Sequence, residues 1–263
     1  MRVRLIAAVL GTVLSLALCG CFGPGDFPAG TPEIWRDTPL LANTSHEIMP
    51  GVVCYSWHFE KNPEPSLIPE PPLSLHAVVV DWDAADVVRM REKLPEGIKP
   101  LVRIATDASL PENQPGAYVL TWRAAECPEI QLQSAMDKMK DRILFRGLLL
   151  AQNGKSRFSR DVQGRDAYAA VGINPDTHRL VLLTVDGGHE KVPGVRFSDL
   201  PELMFALGAK DVLMLHSGGG VELSVADDSG ELRVVNCPAG NKQFDHAGVL
   251  PSPGALYLLK AGK

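Results

Sequence analysis

Arg179-Leu180-Val181-Leu182-Leu183-Thr184-Val185 is a nearly unbroken apolar run that stops at Asp186-Gly187-Gly188. A strand with one wet face alternates apolar and polar residues, so a run without alternation belongs to a strand covered on both sides. The chain must therefore supply a layer on each side of residues 179–185 and tolerate an acid at the end of a buried strand. Further strands are predicted at 75–82, 99–105, 117–122, 143–152, 167–173, 211–216, 221–226, 231–235 and 255–260. Two helices are predicted, at 129–142 and 200–207. In the second, Leu200, Leu203, Met204 and Leu207 share a face, Asp199 and Glu202 have capping-box spacing, Pro201 sits in the first turn and Gly208 stops the helix. That is too few helices for the crossovers of a doubly wound parallel sheet. The expected fold class is α+β: a mixed, mainly antiparallel sheet with a few packed helices.

The amino terminus is an address. Arg2 and Arg4 precede an apolar run over 5–18, too short to cross a bilayer comfortably and suited to a signal-peptide core. It ends in Leu18-Cys19-Gly20-Cys21, which resembles the bacterial lipobox. The resemblance implies cleavage before Cys21 and acylation of that cysteine, with several chains holding the protein at a membrane surface. The expected organisation is a signal peptide at 1–20, a flexible Gly/Pro/Thr-containing tether at 21–47 and one domain at 48–263, with prolines 63, 65, 69, 71 and 72 in a surface loop. Phe22 carries no evident inner-membrane retention cue, so the expected location is the bacterial cell envelope, at the outer membrane facing the periplasm.

The chain carries 26 Lys and Arg against 31 Asp and Glu, a net charge of −5 that drops to −7 once the signal peptide leaves with its two arginines. No positive field exists to hold a nucleic-acid backbone, and nucleic acid is excluded as a partner. Cys54, Cys127 and Cys237 remain after processing, so at most one disulfide forms. Cys127 and Cys237 both precede proline, which favours loops; three buried thiols are the other possibility.

Chemistry-bearing residues concentrate between 179 and 224. Asp186 closes the buried strand. The strand at 211–216 leads into His216-Ser217-Gly218-Gly219-Gly220, where three glycines can turn backbone N–H groups toward an anionic oxygen; a flexible hairpin is the alternative. The run is not a P-loop, since no Gly-Lys-Ser/Thr follows, nor a dinucleotide fingerprint, since 221–225 alternates as a strand does. Leu215 stands where a nucleophile elbow needs glycine. His189, His216 and His246 lack short ligand spacing, so no metal is expected, and no cofactor is implied.

The order of these blocks resembles the phosphodiester glycosidase family. The residues that carry the resemblance are Ala170-Val171-Gly172-Ile173, Val185-Asp186-Gly187, Gly208-Ala209-Lys210-Asp211, Ser217-Gly218-Gly219-Gly220 and Val235-Asn236-Cys237-Pro238, with the strand and turn at 148–155 before them. The family's R-T-A arginine falls on Tyr168, with Arg165 nearby. Its N-L-D-G falls on Met214-Leu215-His216-Ser217, and its early N-G-G-F-F block has no clear counterpart. Asp186 is the one matched acid.

The resemblance implies hydrolysis of a sugar phosphodiester, in which a carboxylate stabilises an oxocarbenium-like transition state and N–H or cationic donors hold the phosphate. It implies Asp186 and His216 as catalytic residues, and Tyr168, Arg165, Ser217, Gly218, Gly219 and Gly220 as substrate-binding residues, with Arg165 or Asp166 assisting. An imidazole donates or accepts a proton but supplies no permanent negative charge. The two functional expectations are thus a lipid-anchored glycosidase acting on envelope sugar-phosphate diesters or glycans, and an inactive glycan-binding or scaffolding lipoprotein. Partners are a carbohydrate or sugar-phosphate ligand and, through the anchor, the membrane; oligomeric state is left open.

Overall fold

The computed structural model describes residues 20–21, 40–59, 73–82, 88–91, 93–94, 96–107, 118–121, 128–132, 143–158 and 164–260. Two antiparallel sheets face each other across one core. The larger has 11 strands. Its body comprises β2 (Leu40–Met49), β3 (Val52–Phe59), β4 (Leu73–Asp81), β12 (Arg179–Val185), β11 (Tyr168–Asn174), β13 (Asp211–Ser217), β9 (Ile143–Gln152), β7 (Tyr118–Thr121) and β8 (Glu129–Leu132), in that spatial order. Two short strands join its margins: β1 (Gly20–Cys21) beside β2 and β10 (Lys155–Ser156) beside β9. The second sheet runs β15 (Leu232–Val234), β14 (Leu223–Ala226), β6 (Val102–Thr106), β16 (Gly254–Lys260), β5 (Val88–Arg91).

β12 is buried on both faces, as its composition requires. Leu180 and Leu182 point into the core shared with the second sheet, where they join Val78, Val171, Val102, Ile104, Leu223 and Leu258. Val181, Leu183 and Val185 point the other way, toward Leu200, Leu203, Met204 and Leu207 of α1 (Leu200–Ala206) and the Tyr55–Trp57 stack. One sheet thus separates two apolar layers, and every side chain on β12 after Arg179 is out of water.

The observed class is mainly β, correcting the α+β expectation. Every strand pair among the described residues is antiparallel, so the sheet is not mixed. α1 is the one α-helix among the described residues. The helix expected at 129–142 is overturned at its start: Glu129–Leu132 is β8, paired with β7 from Glu129↔Thr121 to Leu132↔Tyr118, and 133–142 lie outside the described residues. Glu-Ile-Gln-Leu alternates with period two, and a partner strand decides such short ambiguous runs.

The capping box at α1 does not form either. Asp199 is already helical (φ −91°, ψ −15°) because a 3₁₀ turn at Phe197–Asp199 feeds the helix, and its side chain makes no cap bond. At the other end Gly208 takes φ +91° and its N–H donates to Phe205 O. β2 brings residues from 40 onward into the sheet, inside the segment read as tether; the signal-peptide core, residues 22–39 and the proline cluster lie outside the described residues. Cys54 and Cys237 are buried thiols outside any disulfide, and Cys127 lies outside the described residues.

Candidate functional site

The chemistry gathers where β12, β11 and β13 end side by side. Register sets Val185 opposite Tyr168 and Tyr168 opposite Ser217, so Asp186, Tyr168 and the Ser217–Gly220 turn leave the sheet at one margin. Alternation then sorts the side chains. Asp186 turns into the core between the sheets, where the apolar face of β3 and β4 gives way to Ser56, Ser74 and His76.

Asp186 is sealed there. Oδ2 accepts from Ser74 Oγ at 2.6 Å and lies 3.0 Å from His76 Nε2; Oδ1 accepts from the Cys237 N–H at 2.8 Å and Asn236 Nδ2 at 3.2 Å. His76 Nδ1 reaches Ser56 Oγ at 2.8 Å, and because the carboxylate only accepts, the proton between His76 and Asp186 is assigned to Nε2. Burial alone would raise the Asp186 pKa; the His76 charge, then the bonds from His76, Ser74 and the Cys237 N–H, outweigh it and hold the carboxyl below the usual aspartate range. Half-buried His58, its ring edge-on to His76 with centroids 5.4 Å apart, is pushed down to about 4 by desolvation and then by the charge on His76.

The histidine that reaches Asp186 is therefore His76. His216 pairs instead with Asp107, which follows β6 in the second sheet: Nδ1 lies 2.6 Å from Asp107 Oδ1, and the Asp107 N–H bonds to Leu215 O at 2.8 Å, pinning the two sheets together at this point. The Ser217 N–H also points at Nδ1 from 2.8 Å. The ring nitrogen thus has two alternative partners, accepting from the backbone when bare and donating to the carboxylate when protonated. His216 Nε2 is buried, has no hydrogen-bond partner among the described residues and lies against Gly220, where a Cβ would stand 2.6 Å away.

The glycine turn is half-buried rather than an open cradle. The Gly218 N–H is spent on Ala167 O at 2.9 Å, and the Val221 N–H closes the turn on Gly218 O at 3.1 Å. Tyr168 is half-buried beside Asp166, and its hydroxyl is shifted up by burial first and by the Asp166 charge second. Arg165 and Asp166 are partly exposed. Cys237 is no nucleophile: burial, then the charges of Asp186 and Asp245, push its thiol to about 12. No group of three or more metal-ligating side chains occurs among the described residues, and no helix there is long and apolar enough to cross a membrane. The side chain of Cys21 lies outside the described residues.

Sequence reasoning missed Asp107 and the Ser56–Ser74–His76 set. The latter left a signal: Ser74 and His76 occupy the strand parity that carries Val78 and Val80 further along β4, and polar residues on a buried parity need partners.

The phosphodiester glycosidase family model matches residues 76–250, a span holding Asp107, Asp166, Tyr168, Asp186 and His216. The fold is similar to the catalytic domain of the zebrafish N-acetylglucosamine-1-phosphodiester α-N-acetylglucosaminidase auto-inhibited by its pro-peptide, with TM-score 0.56 and 12% identity over 84% of this chain and 88% of that one. It is also similar to a hypothetical protein from Synechocystis, with TM-score 0.50 and 11% identity over 80% of this chain and 62% of that one. At these identities the likeness is one of fold. No curated protein sequence matches.

Proposed function

Because the chain belongs to the phosphodiester glycosidase family, we propose that it is a lipid-anchored envelope protein that hydrolyses a sugar 1-phosphodiester. The observation that carries this reading is the Asp107–His216 pair, an imidazole oriented by a carboxylate at one nitrogen and without a partner at the other. That is the arrangement of an acid–base group, able to hold a proton at Nε2 and give it up to a leaving oxygen when the glycine turn that covers this nitrogen moves aside. Tyr168, Ser217 and Arg165 border the same margin and supply donors for the phosphate or a sugar hydroxyl. Asp186 serves this site from behind. With both oxygens occupied and its side chain fully buried, it fixes the end of β12 and the 236–237 segment rather than touching substrate.

Acylation at Cys21 would place the domain on a membrane surface, at the outer membrane facing the periplasm, with envelope glycans carrying phosphodiester-linked sugars as the substrate class. The test uses the full chain in detergent with an N-acetylglucosamine 1-phosphodiester, the linkage named for the zebrafish enzyme. Release of free sugar that His216→Ala removes is the expected result. The absence of release at any pH overturns the reading.

One observation favours a second reading, binding without turnover: the one acid that matches the family motif is inaccessible. Saturable binding of the same diester, with no product after prolonged incubation, would establish it in place of the first.

A further inference from the structure

Asp186 is sealed and Asp107 is committed to His216, and a third acid, Asp166, stands beside the glycine turn. Asp166 forms a single bridge with Val195, its N–H donating to Val195 O at 3.0 Å and its carbonyl accepting from the Val195 N–H at 3.2 Å. Around that bridge the chain is packed to contact. A Cβ on Gly187 or on Gly194 would collide with the Asp166 backbone itself, which has no flexible end to move aside. Both arms of the single loop between β12 and the 3₁₀ turn are thus held to glycine where they pass Asp166.

Its carboxylate leans between two turns. Oδ1 accepts from the Ala167 N–H at 2.8 Å, and Oδ2 has no hydrogen-bond partner among the described residues. A Cβ on Gly188 would stand 3.9 Å from Oδ1, and one on Gly218 3.7 Å from Oδ2, so the carboxylate lies beside both the Asp-Gly-Gly turn after β12 and the triple-glycine turn after β13. Tyr168 is the next outward residue, and Asp166 is partly exposed. Positional rigidity around a solvent-reaching acid is unlike a surface aspartate, whose side chain wanders. It matches what a reacting group needs.

We propose that Asp166 is the catalytic carboxylate of this site, taking the proton of the water that attacks the anomeric carbon of a glycosyl phosphodiester. The assignment rests on the hydrolytic reading above. As the water oxygen bonds to C1, the bond from C1 to the bridging phosphate oxygen breaks with its electron pair going to that oxygen. The proton taken by Oδ2 passes to solvent, and the phosphate monoester leaves as an anion. The negative charge of the carboxylate also faces the positive charge that develops at C1. Asp186 cannot do this from inside four hydrogen-bonding contacts, and Asp107 is engaged with His216.

The experiment compares the full chain in detergent as wild type, Asp166→Asn and Asp166→Ala on an N-acetylglucosamine 1-phosphodiester. Asn retains the acceptor for the Ala167 N–H, so melting temperatures should coincide. The expected result is a fall in kcat of about 100-fold or more in both variants with KM within about threefold, and partial recovery of the Ala variant alone in sodium formate, which refills the place of the carboxylate. An Asn variant within about threefold of wild-type kcat, or a loss accompanied by a lower melting temperature and no formate rescue, overturns the assignment while leaving the hydrolytic reading in place. A wild-type protein without turnover removes that reading and this one together, a result distinguished by needing no variant.

Discussion

His76 Nε2 stands 3.0 Å from Asp186 Oδ2, and neither side chain reaches water. The pair closes the end of a mostly aliphatic strand, and it draws in Ser56, Ser74, Asn236 and the Cys237 N–H until each carboxylate oxygen has two partners. Such an arrangement contributes to uniqueness of structure as much as to stability, since each group left alone would be costly.

Asp186→Asn should destabilise the fold strongly. The amide turns an NH₂ toward either the Cys237 N–H or the Ser74 and His76 donors, leaving donors facing donors in a dry site. A loss of about 3–5 kcal/mol is expected on breaking a buried pair, read as a lower midpoint in urea unfolding.

Stability should fall in acid in two stages. His58 is pushed down to about 4, so the folded state binds its proton later than the unfolded chain does; the stability this confers is complete above about 6.5 and drains as pH falls from there to about 4. The carboxyl of Asp186 is held below its ordinary value, so its contribution persists above about 3.9 and is lost as pH falls through the folded value. Unfolding free energies measured between pH 7 and pH 4 should drop by about 3 kcal/mol, and His58→Leu should flatten that limb without moving the lower one.

Gly220→Ala and Gly219→Ala should differ sharply although the residues are adjacent. A Cβ at 220 meets His216 Nε2 at 2.6 Å, against a ring held from its other side by Asp107. A Cβ at 219 first meets Leu250 Cδ1 at 3.3 Å, the end of an exposed side chain that can turn away. Gly219→Ala should cost less than about 1 kcal/mol, and Gly220→Ala about 2–3 kcal/mol from overpacking. Activity on the phosphodiester should vanish only in the latter.

Asp107→Asn tests the imidazole pair. The Asp107 side chain is about half exposed, so loss of its charge should shift stability by less than about 1 kcal/mol. Losing the negative charge beside Nδ1 should lower kcat about 10- to 100-fold with KM nearly unchanged, measured by steady-state release of sugar.

Cys21→Ala should abolish incorporation of radiolabelled palmitate and move the protein from the membrane pellet to the soluble fraction. Retention in the pellet with no label incorporated by the unmodified chain would dismiss the anchor.

Much of the fold is legible in the sequence because strand burial writes itself into alternation. Residues 143–152 and 179–185 are read to the residue and most of the other predicted strands to within one or two, whereas β2, β3 and β5 are not read as strands at all. β8 escapes because four residues carry too little period to outweigh a helix-like neighbourhood. The site is less legible. Asp186 and the glycine turn stand out, yet their partners come from pairings invisible along the chain: β4 lies beside β12, and the end of β6 meets β13. Neither His76 nor Asp107 has any local feature naming His76 for Asp186 or Asp107 for His216.

The donors to Asp186 Oδ1 come from residues 236 and 237, whereas those to Oδ2 come from 74 and 76. A growing chain that has emerged only as far as β13 holds half of the acid's complement. Burying it then would strand a bare oxygen in hydrocarbon. Closure of the margin must await nearly the whole polypeptide.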